Sequence, residues 1–335
     1  MNAGSGCWAL VLAGGNGTRL ASLTTMDDGY TVPKQYCSLD GGPTLLQQAL
    51  ARATRVAGHE RVCVVVAEQH RRHWEGSTHW PIPAHLCVQP HNRGTAAGIL
   101  LGVHAIRARD PGADIVVFPS DHHVLDEAAL AARAADALAE LPGHPERCVL
   151  LGMRPSRADP QLGYILAHRS AGPASHPIRR FVEKPAADIA RRLCAAGALW
   201  NSFIFAVRAA TLEKLLHRAC GRLAPRLSAA VSAAASREHL SSVYASAPSV
   251  DMSRDVLAHE VARLRVLEVP PCGWSDLGTP ESVARTIARC GTSARLARPQ
   301  PLSDAGPEQY RVNLRQRLRL TWCPGEDSNL HGVTR

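Results

Sequence analysis

Lysine is nearly missing from this 335-residue chain: of 38 basic residues only Lys34, Lys184 and Lys214 are lysines, and the other 35 are arginines. Aromatic residues make up only 4%, and no arginine-rich arm, zinc-finger spacing or aromatic RNA-binding signature accompanies the net charge of +9. That combination argues against nucleic acid as a partner and for small phosphorylated ligands. No Gly-Lys dipeptide occurs, which excludes a P-loop. The ten cysteines form no C-x-x-C pair, and several sit in apolar runs such as Val62-Cys-Val-Val-Val66. There a thiol packs as a small hydrophobe, and a reducing cytoplasm is the expected setting. No apolar stretch reaches the roughly 20 residues needed to cross a bilayer. The N-terminus leads into an apolar run without a basic-then-apolar leader pattern, so no membrane attachment is expected.

Against that background, Leu12-Ala-Gly-Gly-Asn-Gly-Thr-Arg-Leu20 stands out, followed by Pro33-Lys34-Gln35. A short apolar run breaks into Gly14, Gly15 and Gly17, then presents Arg19 and, further on, Lys34. Glycines let the backbone approach phosphates closely, and cations supply countercharge. The pattern reads as a nucleoside triphosphate site at the first strand-to-loop junction of an α/β sheet. A dinucleotide-binding loop competes, with Asp40 in the ribose position, but Leu20 occupies the place of its third glycine. Two of the three lysines adjoin prolines, in Val32-Pro-Lys-Gln35 and Phe181-Val-Glu-Lys-Pro185. In a chain that otherwise uses arginine, a compact ammonium suits point contact with a phosphate oxygen.

Apolar runs alternate with alanine-rich amphipathic stretches. Strands are expected at Trp8–Ala13, Arg61–Ala67, Leu86–Gln89 and Asp114–Pro119, and helices at Thr44–Ala57, Thr95–Ala108 and Glu127–Leu141. Continuous Val/Ile runs with this alternation predict an α/β fold: a mostly parallel mixed sheet with helices on both faces. Residues 148–290 repeat the mixture less regularly, with helices expected at Ala186–Ala196, Ala209–Cys220, Ala224–Ser236 and Pro280–Cys290. The reading is one unit over 1–290, with a nucleotide half to about 147 and a substrate-facing half from 148. From 291 to 335 the chain loses periodicity, and weak order is expected there.

Asp121 follows the strand Asp114–Pro119, at the sheet edge where open α/β sheets bind ligands. An aspartate there also suits a helix cap or an Asx-turn. Asp276, in Gly273-Trp-Ser-Asp-Leu-Gly-Thr-Pro280, has the same alternative. Together the two acids would meet the needs of Mg²⁺, which takes one or two carboxylates plus phosphate oxygens and water. His122 and His123 suggest zinc, but no further ligand stands at a fitting spacing. Glu183 and Asn201 offer hydrogen-bonding groups for a hydroxyl-rich ligand, beside Gly163 as a close-approach position. Arg93, Gly94 and Thr95 open a helix whose amides could meet a base or phosphate.

In this order the motifs resemble the sugar-phosphate nucleotidyltransferases, most closely their mannose-1-phosphate guanylyltransferase branch. The likeness runs from about Trp8 to Ala288. It rests on Leu12–Leu20, Pro33–Gln35, Pro90–Ala97, Pro119–His122, Gly163–Ile165, Phe181–Pro185, Trp200–Ser202 and Trp274–Gly278. The resemblance implies a Rossmann-like nucleotidyltransferase fold and Mg²⁺-dependent GDP-mannose synthesis from GTP and mannose 1-phosphate, with pyrophosphate released. It implies that Gly14, Gly15, Gly17 and Thr18 line the nucleotide loop, and that Arg19 and Lys34 hold the triphosphate. It also implies Asp121 and Asp276 as metal ligands, Lys184 on the sugar phosphate, Gly163, Glu183 and Asn201 at the hexose, and Arg93 to Thr95 near the base. A homodimer is compatible with the resemblance. Departures include Ser22 for proline, a longer loop at Met26-Asp-Asp-Gly29, Tyr36 for phenylalanine, and Gly94 where guanylyltransferases often carry asparagine. No cupin-like isomerase domain is seen, so isomerase activity is not expected.

Overall fold

The computed structural model describes residues 6–75, 85–168, 175–232 and 236–293. Its longer elements begin with β1 (Cys7–Ala13), α1 (Leu45–Ala57), β2 (Val62–Ala67) and β3 (His85–Gln89). Next come α2 (Gly94–Arg107), β4 (Asp114–Pro119), α3 (Glu127–Ala139), β5 (Cys148–Met153), β6 (Tyr164–Ala167) and β7 (His176–Val182). The remainder comprises α4 (Ala187–Ala195), β8 (Leu199–Arg208), α5 (Ala209–Cys220), α6 (Leu223–Ser232), α7 (Arg237–Ala245), β9 (Leu264–Val269) and α8 (Pro280–Ser293).

The strands form one nine-stranded sheet in the order β3-β2-β1-β4-β8-β5-β9-β7-β6, and β6 also pairs with β8. The β3-β2-β1-β4 segment is wholly parallel. Strand β8 lies antiparallel between β4 and β5, while β9 runs parallel to β5. Following the pairings through β7 and β6, seven of the nine strands point the same way and only β7 and β8 oppose them. The mostly parallel mixed sheet expected from the Val/Ile runs is what forms.

Strand β1 shows how the sequence makes two layers. Its residues alternate faces, so Ala9, Val11 and Ala13 enter one core while Trp8 and Leu10 enter the other. The first core is covered by α1, α3, α4 and α8, through residues such as Leu46, Leu130, Leu193 and Val283. The second is covered by α2, α5, α6 and α7, and α2 is buried without interruption from Ala96 to Ile106. Helix α1 starts at a capping box, Thr44 and Gln47 each bonding the other's backbone N–H.

Two elements differ from the sequence expectation. Helix α7 and the π-helical turn Met252–Val256 form within a stretch that carries no clear periodicity. The turn is held from outside: Thr95 Oγ1 accepts from Met252 N at 2.7 Å, and Asp251 caps it through Arg254 N at 2.9 Å. Helix α8 extends to Ser293, three residues past the expected end of the catalytic unit. Residues 233–235 of the helix expected to reach Ser236, and the tail from 294, lie outside the described residues, while Ser236 itself caps α7, accepting from His239 N. None of the described helices is long and apolar enough to cross a membrane.

One buried charge pair joins α1 to α3. Arg52, whose side chain is 0% exposed, donates from Nε and Nη2 to the two Glu127 carboxylate oxygens at 2.8 and 2.7 Å. Removing one member strands the other in a dry setting. We predict that Glu127→Ala lowers unfolding stability by about 3 kcal/mol, the low end for a broken buried pair because Glu127 keeps some solvent contact. Urea denaturation of the two proteins checks this.

Candidate active site

The chain leaves β1 for β2 on one side and returns to β4 on the other, creating a switch point at the carboxyl ends of β1 and β4. A cleft of about 380 Å³ opens there. Gly14, Gly15 and Arg19 line it from the loop after β1, Asp121 from β4, and Gly94 and Thr95 from the start of α2. Gly163, Glu183, Lys184 and Asn201 line its far side, and Asp276 closes it. Eleven of the residues singled out from the sequence thus converge on a single cleft.

The two acids, 155 positions apart in sequence, are brought together by a backbone bridge. His123 and Ser275 exchange N–H···O bonds of 2.9 Å in each direction. Lys34 then ties the two segments: its Nζ lies 2.8 Å from Asp121 Oδ2 and donates to the Asp276 carbonyl at 2.6 Å. Burial alone would raise the Asp121 pKa, but Lys34, His122 and Arg19 outweigh it and hold the carboxyl below its usual range. His122 is pushed down to about 4, chiefly by burial, so its ring is neutral at neutral pH. That ring packs edge-on against Trp274 at 5.3 Å.

The donor set fits a hard divalent cation. Asp121 Oδ2 is occupied by Lys34, while Oδ1 lies 3.8 Å from His122 Nε2. Asp276 also lines the cleft, and its Oδ2 and the Arg19 guanidinium both border Gly278. Two carboxylates with oxygens to spare, open to substrate phosphates and water, are what Mg²⁺ uses.

Four expected positions turn out otherwise. Lys34 is only 4% exposed and faces Asp121 and Asp276 rather than the cleft, so in this structure it positions the acids instead of presenting a free ammonium. Gly17 does not line the cleft; at φ 63° it lets the loop cross Lys34, and a Cβ there would lie 2.8 Å from Lys34 Cβ. Thr18 is exposed at the start of a short 3₁₀ turn, outside the lining. Arg93 turns away to donate to the Tyr244 and Ala245 carbonyls at 3.0 and 2.8 Å. Those carbonyls end α7, where a cation is favoured. Asp40 accepts from Gly42 N at 3.1 Å in an exposed turn, a local role rather than a ribose contact.

Gly94 has a structural reason. Its φ is 79°, and a Cβ would meet the Val250 carbonyl oxygen at 2.3 Å, so the approach of residue 250 demands glycine. Other contributors escaped the sequence reading. Gln35 donates to the Ala13 and Gly15 carbonyls at 3.0 and 2.9 Å, fixing the glycine loop. Gln89 ends β3 inside the cleft, with Oε1 buried and no hydrogen-bond partner among the described residues. A polar residue closing an apolar strand just before Pro90 was the available signal.

On the far side, Glu183 Oε2 is buried and without a hydrogen-bond partner among the described residues. Burial raises its pKa, against the opposing pull of Lys184. Gly163 leaves this carboxylate room, since a Cβ would sit 2.5 Å from Glu183 Oε2. Asn201 donates to Ser253 Oγ at 3.3 Å and accepts from Phe203 N at 3.1 Å. Lys184 holds a left-handed backbone at φ 44°, uncommon for a side-chain-bearing residue and frequent at functional sites.

An α/β fold with a switch-point cleft carrying paired acids, cations and a glycine loop defines a phosphate-handling nucleotide-binding protein. The sequence pattern described as Nucleotidyl transferase matches residues 8–291, and the chain belongs to that family. It is 35% identical over 213 residues to the xanthan biosynthesis protein XanB of Xanthomonas campestris pv. campestris (strain B100), covering 62% of this chain and 43% of the relative. It is 27% identical over 297 residues to the mannose-1-phosphate guanylyltransferase RfbM of Salmonella typhimurium, covering 82% and 57%. The chain therefore spans about half the length of the curated relatives it matches. Among solved structures, a mannose-1-phosphate geranyltransferase from Thermus thermophilus aligns with TM-score 0.70 and 30% identity, over 84% of this chain and 79% of that one.

Two outcomes are expected. Gly17→Ala would place a side chain in left-handed backbone against Lys34, lowering stability by about 1–2 kcal/mol from the backbone alone; thermal unfolding measures it. Glu183→Gln should stabilise the protein at pH 7. With its folded pKa raised, Glu183 binds more protons folded than unfolded, so its destabilising effect grows as pH rises from the ordinary carboxylate range through the raised value. The gain of the Gln variant should therefore vanish below about pH 4, near the unfolded carboxylate pKa, as urea titrations at several pH values would show.

Proposed function

We propose that the protein joins mannose 1-phosphate and GTP to give GDP-mannose and pyrophosphate, as a step of GDP-mannose biosynthesis. The observation that carries this reading is the convergence of Asp121, Asp276 and Arg19 beside a glycine loop, facing a second wall with an unsatisfied carboxylate at Glu183. The guanylyltransferase name of RfbM supports the choice of base and sugar.

In the proposed reaction a phosphate oxygen of the sugar phosphate attacks the α-phosphorus of GTP. One O–P bond forms, the bridge to the β-phosphate breaks, and its electron pair leaves with pyrophosphate. The nucleophile is already an anion, so no general base is required, and neutral His122 need not exchange a proton. The obstacle is bringing two anions together, which preplaced positive charge relieves. Mg²⁺, held by Asp121 and Asp276, would neutralise charge on the reacting phosphates. Arg19, exposed at the end of the glycine loop, would hold the triphosphate, while Lys34 keeps Asp121 ionised and ties the backbone at Asp276 beside it. Lys184 would take the sugar phosphate. Glu183 and Asn201 would take hexose hydroxyls, the buried carboxylate gaining the partner it otherwise lacks.

Pyrophosphate release measured across four nucleoside triphosphates and several sugar 1-phosphates tests the reading, with GTP and mannose 1-phosphate expected to be the preferred pair. A stronger signal from UTP or dTTP with glucose 1-phosphate would keep the chemistry and replace the substrates. Asp121→Asn is expected to cut turnover about 10²–10³-fold while leaving the circular dichroism spectrum unchanged. Near-normal turnover in that variant would remove the metal assignment.

A further inference from the structure

A second cluster of metal-ligand side chains lies outside the cleft. Helix α5 carries Glu213 and His217 four residues apart, hence on one face. That face meets the last turn of α2, where His104 and Arg107 project. His104 Nδ1 lies 3.2 Å from Glu213 Oε1, and His217 Nε2 lies 3.7 Å from the same oxygen. Ligand atoms of all three residues fall within 4.8 Å of one another, the one such group found among the described residues.

We propose that His104, Glu213 and His217 form a binding site for a zinc-type divalent cation, separate from the reaction cleft. Two imidazole nitrogens and one carboxylate oxygen make a three-ligand tetrahedral set with a fourth position left for water. Metal–ligand bonds of about 2.0–2.1 Å at tetrahedral angles place neighbouring ligand atoms roughly 3.3 Å apart. The observed 3.2 and 3.7 Å lie within a few tenths of an ångström of that spacing, and the separation of the two imidazole nitrogens is within 4.8 Å. Imidazole donors select zinc and its transition-metal neighbours over magnesium, which prefers oxygen alone. The cleft and this cluster therefore discriminate between cations.

The surroundings complete the site. Arg107 engages the other Glu213 oxygen, Oε2, so the carboxylate is oriented with Oε1 toward the two imidazoles. Burial, with help from the charges of His217 and Arg107, pushes His104 down to about 4, so its ring offers a lone pair at neutral pH. Without a metal, a proton on Nδ1 serves Glu213 and leaves Nε2 buried with no well-formed hydrogen bond. With Nδ1 on a metal, the proton sits on Nε2, which lies beside the Ala224 backbone. His104 and Glu213 side chains are 4% and 14% exposed, whereas His217 is 41% exposed and provides the way in.

Helix α2 rises 1.5 Å per residue, so His104 stands about 14 Å along it from Thr95 at the cleft. An ion here would fasten α2 to α5 without entering the reaction. The test uses the full chain, stripped with a chelator and titrated with Zn²⁺ by calorimetry and with Co²⁺ by visible absorption. One tight equivalent with the intense bands of tetrahedral Co²⁺ is expected. Asp121→Asn should bind equally well, while His217→Ala should bind at least about 100-fold more weakly, losing a ligand rather than an outer-shell partner. Zn²⁺ should raise the thermal midpoint of the parent but not of His217→Ala. No stoichiometric binding, or undiminished binding by His217→Ala, would overturn the proposal. Because His217 is exposed and outside the cleft, its variant should fold and keep the parent's nucleotidyl-transfer rate.

Discussion

The buried ammonium of Lys34 links three chain segments that lie far apart in sequence. It rises from a loop whose passage depends on Gly17, reaches the carboxylate after β4, and bonds a carbonyl of the Trp274–Gly278 segment. A charge buried to this degree persists only when paired and hydrogen-bonded. Asp121 meets that requirement, and in return its own carboxyl is kept ionised despite burial. The mutual dependence fixes the Asp121 carboxylate and brings the backbone at Asp276 up beside it. Preorganisation of this kind is the main means by which a site stabilises developing charge without rearranging during reaction.

The two walls of the cleft have different physical character. The wall built from β1, β4 and the start of α2 consists largely of backbone turns and charge, a surface for phosphates. The opposite wall, from β6, β7 and β8, presents Glu183, whose buried Oε2 has no hydrogen-bond partner among the described residues, with Asn201 and Phe203, and Trp274 lines the cleft beside them. Polar groups left unsatisfied in an apolar setting discriminate strongly between ligands that complete their hydrogen bonds and ligands that do not. Charge on one side and unmet hydrogen bonds on the other suit a ligand with a phosphate end and a hydroxyl-rich end.

Much of this was legible in the sequence where local rules govern. The Val/Ile runs set the parallel strands, and Gly14, Gly15, Asp121, Glu183, Asn201 and Asp276, singled out by their motifs, all line one cleft. What escaped depends on contacts between distant residues. Nothing local says that His123 pairs with Ser275, that Lys34 turns inward, or that Arg93 serves the end of α7. The turn at Met252–Val256 escaped for the same reason, being fixed by Thr95 from another element. Glu213 and His217 show helical spacing, but only the packing of α5 on α2 brings His104 to them.

Strand β8 belongs by sequence to the later half of the chain, yet it is hydrogen-bonded to β4 of the earlier half along one edge and to β5 along the other. The two halves are thus stitched through a common ribbon, and both walls of the cleft rest on the one sheet. A circular permutation or split that separated β8 from β4 would be expected to unmake both walls at once.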